Sequence, residues 1–208
     1  MTSGPTQLPL LGGRIGPAAA TWWLVWRGRV PLIELEQKMI GNGDDIRNGR
    51  RFRAQVVAIV TGGSSRSGRE VARVLASWGW AIVVVYLEDQ RKVEATVEEI
   101  LAAEGNAVAV RADLADELDV QRLFAESVAA FSGVDVVVHT TTEMASLLYQ
   151  NAGRHIRPRG AVVGTSAAAR VPPGVDRQLR ERGITVGRAP ADGLIAYLDR
   201  WRQREMVG

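Results

Sequence analysis

From Gln55 onward the sequence predicts an α/β fold, a doubly wound parallel sheet of about six strands with helices on both faces. Two observations carry this reading. Short apolar runs rich in Val and Ile alternate with segments of helical period, the signature of repeated βαβ units. The crossovers joining parallel strands are right-handed, which places successive helices on opposite faces once the chain reverses direction across the sheet.

The elements follow in order. VVAIV (56–60) reads as a buried strand and runs into the glycine-rich TGGSSRSG (61–68). Val71, Val74, Leu75 and Trp78 then fall at the i, i+3, i+4, i+7 spacing of one helix face. AIVVVY (81–86) is the second strand, and Val93, Val97, Ile100 and Leu101 mark the next helix. AVAVR (107–111) is the third strand, followed by a helix with Val120, Leu123, Phe124, Ser127, Val128 and Phe131 on its inner face. VDVVVH (134–139) is the fourth strand. A helix over 143–156, a strand AVVGT (161–165), a short helix over 176–182 and a strand ITVGR (184–188) come next, and Leu194, Ile195, Leu198 and Trp201 form the face of a last helix.

Residues 1–53 are of another character, an extension expected to be irregular ahead of a domain spanning 54–208. They carry Gly and Pro punctuation, the cluster Trp22, Trp23 and Trp26, and the polar stretch GNGDDIRNGRRFR from Gly41. Three readings stay open for it: the Trp cluster lies on a membrane surface, it covers an apolar face of the main domain, or the segment belongs to no fold and Met39 is the true start.

Composition removes several function classes. With 46% hydrophobic and 24% charged residues over 208 positions, the chain has material for a buried core, and collagen-like or wholly disordered readings fail. Zero Cys excludes disulfides, thiolate nucleophiles and Cys-based zinc sites, and the two His leave no basis for a metal centre. The apolar run Ala18 to Trp26 is about half the roughly 20 residues of a spanning helix, and the first eleven residues carry no Lys or Arg of a secretory leader. The expectation is a cytoplasmic protein without a membrane span. Net charge is only +3, the high pI of about 9.8 reflecting Arg rather than a basic stripe interleaved with aromatics, so no nucleic-acid partner is expected.

The turn at 61–68 sits where a strand meets an amphipathic helix. There the backbone N–H groups and the helix dipole favour an anion, so Thr61, Gly62, Ser64, Ser65, Arg66, Ser67 and Gly68 are candidate phosphate contacts. A tight turn without a ligand is the alternative. This turn resembles the Thr-Gly-x-x-x-Gly-x-Gly loop of the short-chain dehydrogenase/reductase family, with Arg66 at the middle glycine, a variant similar to the pteridine-reductase branch. The likeness continues through NAVAVRADLAD (106–116) and RLFAESVAAFSGVDVVV (122–138). The resemblance implies a Rossmann-like fold that binds NAD or NADP, with Asp113, beside Leu114, accepting from the adenine amino group. A helix-capping or turn Asp is the other reading of Asp113.

At the end of the second strand stand Tyr86, Leu87, Glu88 and Asp89, and Ser65 occupies a place where relatives that prefer NADP often carry a basic residue. Both observations lean toward NAD; Arg66, Arg91 and Lys92 could still reach a phosphate, and the other reading, favoured for Arg91 and Lys92, is solvated charges on a helix face.

The catalytic half departs from the family. Where relatives have Asn-Asn-Ala-Gly after the fourth strand, this chain has His139, Thr140, Thr141 and Thr142. His139 reads as a satisfied core residue, and the hydroxyls of Thr140 and Thr141 are candidates to line a ribose or the nicotinamide. The family's proton donor is a Tyr with a Lys four residues on, which lowers the phenol pKa. Here the residues four beyond Tyr86, Tyr149 and Tyr197 are Gln90, Gly153 and Trp201, and the two lysines are Lys38 and Lys92, so the pair is missing. Ser166 is the remaining candidate for the catalytic serine, although the resemblance places that serine on Ala167, and the favoured other reading of Ser166 is a small residue ending a strand. Tyr197 with Arg200 reads as surface decoration.

Three stretches that the resemblance implies are shortened: after His139, after Ser166 and after Asp192. The family's tetramer interface, built on long helices after strands four and five, is therefore expected to be lost. Three functional readings follow: an oxidoreductase using unusual residues such as Ser166 with a Thr or Tyr149, a cofactor-binding sensor or partner protein without turnover, and a decayed reading frame.

Overall fold

Every residue of β1 (Val57–Val60) and β2 (Ala81–Tyr86) is buried, because strands covered by helices on both sides must be apolar on both faces. The computed structural model describes residues 55–141, 146–165 and 171–206, and within them the expected alternation is complete. After β1 come α1 (Arg66–Ser77), β2, α2 (Gln90–Ala102), β3 (Asn106–Arg111), α3 (Glu117–Phe131) and β4 (Val134–His139). The second half follows with α4 (Ser146–His155), β5 (Ile156–Gly164), α5 (Pro173–Glu181), β6 (Thr185–Arg188) and α6 (Leu194–Met206). The six strands are parallel in the order β3-β2-β1-β4-β5-β6. The extension and its Trp cluster lie outside the described residues.

Side chains alternate across the sheet and build two cores. Ala58, Val60, Ile82 and Val84 point to the face covered by α1, α2 and α6, where they meet Leu75, Val97 and Leu198. Ile59, Val83, Val85 and Val137 point to the other face, against Leu123 and Phe124 of α3, Leu148 and Tyr149 of α4 and Leu179 of α5. Trp80 bridges Trp78 and Trp201 edge to face, with ring centroids 5.5 and 5.9 Å away, which fixes α6 beside the start of β2.

β2 and β4 match the expected boundaries, whereas β5 does not. It begins at Ile156, directly after α4 and five residues before the expected start. Pro158 and Gly160 read as strand breakers, but the chain absorbs them in an irregularity between the pairs Val134↔Ile156 and Val136↔Ala161, with Arg159 at φ 68°. Asp135 holds this junction: its carboxylate accepts from Val57 N at 2.8 Å and from Arg157 Nη1 at 3.0 Å. α5 likewise starts at Pro173, earlier than expected, since Pro suits the first turn of a helix, where its missing N–H costs nothing. Tyr197, expected on the surface, instead lays its hydroxyl against Gly187 of β6.

Candidate functional site

The strand order reverses between β1 and β4, and in such sheets the crevice beyond the carboxyl ends of these two strands is where a ligand fits. β1 runs out at Val60 into Thr61 and the glycine turn. Gly62 adopts φ 68°, a left-handed conformation that suits glycine, and Ser65 N closes the turn on Gly62 O at 2.8 Å. Ser65 is the N-cap of α1, its Oγ accepting from Gly68 N at 3.0 Å. A side chain on Gly68 would collide with the Gly62 carbonyl, so the helix packs against its own turn only with glycine there.

The turn is tied on both sides. Toward β2, Gly63 N donates to Val85 O at 2.8 Å and Ser64 Oγ to Glu88 O at 2.6 Å, while Arg69 Nη1 donates back to Ser64 O at 2.6 Å. Toward β4, Thr61 N donates to Val138 O, Thr140 N to Thr61 Oγ1 at 3.2 Å and Thr140 Oγ1 to Thr61 O at 2.7 Å. The first-turn N–H groups of Arg66 and Ser67 have no carbonyl one turn back to bond. The Arg66 side chain is exposed and makes no ion pair among the described residues. A helix dipole and unbonded first-turn N–H groups are features that favour an anion.

Asp113 follows β3 on the same edge of the sheet. Its Oδ1 accepts from Ala115 N at 2.9 Å, so the turn reading of this residue is realised. Its own N–H donates to Asp119 Oδ2 at 2.9 Å, and this bond, with the Arg122 guanidinium 2.6 Å from Oδ1, holds the Asp119 carboxyl below the usual carboxylate range. Leu114 is buried beside it. At the end of β2, Asp89 pairs with Lys92 at 2.6 Å, and both side chains are more than half exposed, which fits the solvated reading of Lys92.

His139 is fully buried, as expected of a satisfied core residue. Its Nδ1 lies 3.0 Å from Thr61 Oγ1 and its Nε2 3.3 Å from Thr141 Oγ1. The hydroxyls of Thr140 and Thr141 are thus engaged in supporting the turn, and their side chains fill the space over Gly62: a Cβ there would lie 2.6 Å from Thr140 Oγ1 and 2.8 Å from Thr141 Cγ2. Tyr149, a sequence candidate for the reaction, lies in the core. It is 1% exposed, packs edge-on against His139 at 5.8 Å, and its hydroxyl has no hydrogen-bond partner among the described residues. Burial pushes its phenol far up, opposite to what a proton donor near neutral pH needs. Ser166 and Thr142 lie outside the described residues.

Sequence reasoning missed the bonds from Ser64 to Glu88 and from Asp113 to Asp119. Each joins residues that become neighbours only once β2 or α3 has docked.

Comparison with known proteins points the same way. Residues 56–156 match the family model described as short chain dehydrogenase. The chain is 39% identical over 85 residues to an uncharacterized oxidoreductase of Methylorubrum extorquens AM1, covering 41% of this chain and 34% of that protein. It is also 39% identical over 83 residues to a 3-oxoacyl-[acyl-carrier-protein] reductase of Synechocystis, covering 40% and 34%. The matched region thus spans about a third of the length of these curated relatives. Among solved structures, a short chain dehydrogenase from Burkholderia cenocepacia in complex with NADP superposes with TM-score 0.56 and 28% identity over 72% of this chain and 83% of that one.

Proposed function

Because residues 56–156 match the short chain dehydrogenase family model, we propose that the protein binds NAD or NADP across the carboxyl ends of β1 and β4, with little or no carbonyl reductase turnover. The observation that carries the reading is the glycine turn. It is tied to β2 and β4 by named hydrogen bonds, and it presents the Arg66 and Ser67 N–H groups together with an exposed Arg66 side chain that makes no ion pair among the described residues. These groups fit a pyrophosphate. Asp113 keeps a second carboxylate oxygen beyond the one its own turn uses, which suits an adenine amino group. A nicotinamide dinucleotide would supply hydride chemistry here. The residues of this chain bind and orient it, but no Tyr is followed four residues on by a Lys to hold and deliver the proton.

The sequence-level lean to NAD gains no support from the geometry. Ser65 is spent on capping α1, the Asp89 carboxylate faces Lys92, and the Arg66 guanidinium suits a phosphorylated ribose as well as a pyrophosphate. The reading therefore covers both cofactors. A protein that senses the cofactor or partners another subunit is consistent with the same residues, since either role needs binding without turnover.

Calorimetric titration of the folded protein with NADH and NADPH tests the reading. Binding of at least one supports it, and no heat from either overturns it. Asp113→Ala is expected to weaken binding with the fold retained, as judged by circular dichroism. Robust reduction of simple ketones, aldehydes or pterins that Ser166→Ala abolishes would refute the low-turnover part and identify Ser166 as a working catalytic residue. General acid catalysis by a positioned group is worth about 100 to 10,000-fold, so the loss of Tyr and Lys should be plain in such an assay.

A further inference from the structure

We propose that His139 is a positioning residue for dinucleotide binding: held in its Nε2–H form, the imidazole fixes Thr61 and through it the start of the glycine turn. The inference rests on the cofactor-binding reading above. The argument begins with the proton count on Thr61. This side chain is fully buried, and its Oγ1 already accepts from Thr140 N at 3.2 Å. Among the described residues its single O–H proton has one acceptor within reach, His139 Nδ1 at 3.0 Å. A buried hydroxyl that donates to nothing pays its full desolvation penalty, so Thr61 donates and Nδ1 accepts. The ring proton then sits on Nε2, which donates to Thr141 Oγ1 at 3.3 Å. One neutral imidazole thereby links the end of β1 to the residue two beyond itself.

The geometry gives this link leverage over the site. Thr61 is the last residue before Gly62, and its carbonyl is held by Thr140 Oγ1 at 2.7 Å. Gly62 O in turn accepts from Ser65 N, and Ser65 caps α1. The orientation of the Arg66 and Ser67 N–H groups follows from that chain of contacts. The ring itself has little freedom: the Tyr149 ring stands edge-on against it at 5.8 Å, and β1 and β4 are in register from Ala58↔Val136 to Val60↔Val138 just below. An imidazole suits the role because it accepts at one nitrogen and donates at the other at fixed separation.

The test uses the full chain and four proteins: wild type, Thr61→Val, His139→Phe and the double variant. In the wild type, ¹⁵N spectra of the imidazole are expected to show Nε2–H. Thr61→Val and His139→Phe are each expected to weaken NADH or NADPH binding about fivefold to tenfold, the equivalent of one to two lost hydrogen bonds. The double variant should lose no more than either single one, because both cut the same link. Thr61→Ser, which keeps the hydroxyl, is expected to recover most of the affinity, an outcome that a purely packing role for Thr61 does not require. An Nδ1–H form in the wild type, undiminished binding by Thr61→Val, or additive losses in the double variant would overturn the proposal. If the wild type binds no dinucleotide, the cofactor reading fails by itself. The link to Thr61 is then judged from amide exchange at Gly62–Gly68: faster exchange in Thr61→Val upholds it, and unchanged exchange refutes it.

Discussion

Replacing Tyr149 by Phe should stabilise the protein. The Tyr149 ring is enclosed by the core below α4, and its hydroxyl is buried without a partner among the described residues. Burying a hydroxyl unsatisfied costs about 1–3 kcal/mol, and Phe keeps the ring, its contact with His139 and nearly all its volume, so no cavity opens. The expected gain is about 1 kcal/mol or more, read as a higher urea midpoint at unchanged slope and as a melting temperature raised by roughly 2–4 °C. The pH dependence provides a second reading. Burial raises the phenol pKa in the folded chain, while the unfolded chain ionises near 10. Above that pH the folded state therefore holds a proton that the unfolded state has lost, and stability falls as pH rises, by up to about 1.4 kcal/mol per pH unit. This contribution is intact below pH 10 and is lost above it. Tyr149→Phe lacks it, so its advantage over the wild type should widen above pH 10. Tyr86, whose pKa is raised by burial and then by Glu94, is present in both proteins and cancels from the difference. A variant less stable than the wild type by 1 kcal/mol would refute the reasoning, since it would mean that the hydroxyl has a partner and a role.

Gly68→Ala should remove cofactor binding and destabilise the fold by about 2 kcal/mol or more, because the new Cβ meets the Gly62 carbonyl and only backbone movement relieves it; thermal melts and titration check both parts. Asp135→Asn should cost about 2 kcal/mol by weakening the charge-assisted bonds to Arg157 and Val57 N, measured by urea unfolding at neutral pH, and a change within 0.5 kcal/mol would count against it. In light scattering the protein is expected as a monomer or an irregular associate: α4 has 10 residues and α5 has 9, too short for the long-helix pairing that the family resemblance implies, and a stable tetramer would contradict this.

Much of the fold was legible because its determinants are local. The runs AIVVVY and VDVVVH are apolar at nearly every position, a pattern that only a strand covered on both faces needs, and their bounds agree with the structure to the residue. The glycine turn was legible for the same reason, since strand, turn, N-cap and helix lie within one stretch of chain. β5 was not. Pro158 and Gly160 break a strand by local rules, yet pairing with β4 and the Asp135–Arg157 contact carry the strand through them.

The candidate site divides along the same line. From the sequence alone came the loop, Asp113 on the edge of β3, and the absence of a Tyr-x-x-x-Lys pair, each a matter of residue type and spacing. Only the tertiary structure decided that Asp113 spends one oxygen on its own turn, that Tyr149 is sealed in the core rather than offered to a substrate, and that the threonines after β4 fold back over Gly62. It also decided what His139 touches. Thr61 and His139 are 78 residues apart, and nothing in either segment specifies a bond between them. The reversal of strand order, which sets β4 beside β1, brings the hydroxyl to the ring, because a hydrogen bond requires two groups within about 3 Å and spacing along the chain does not encode that distance.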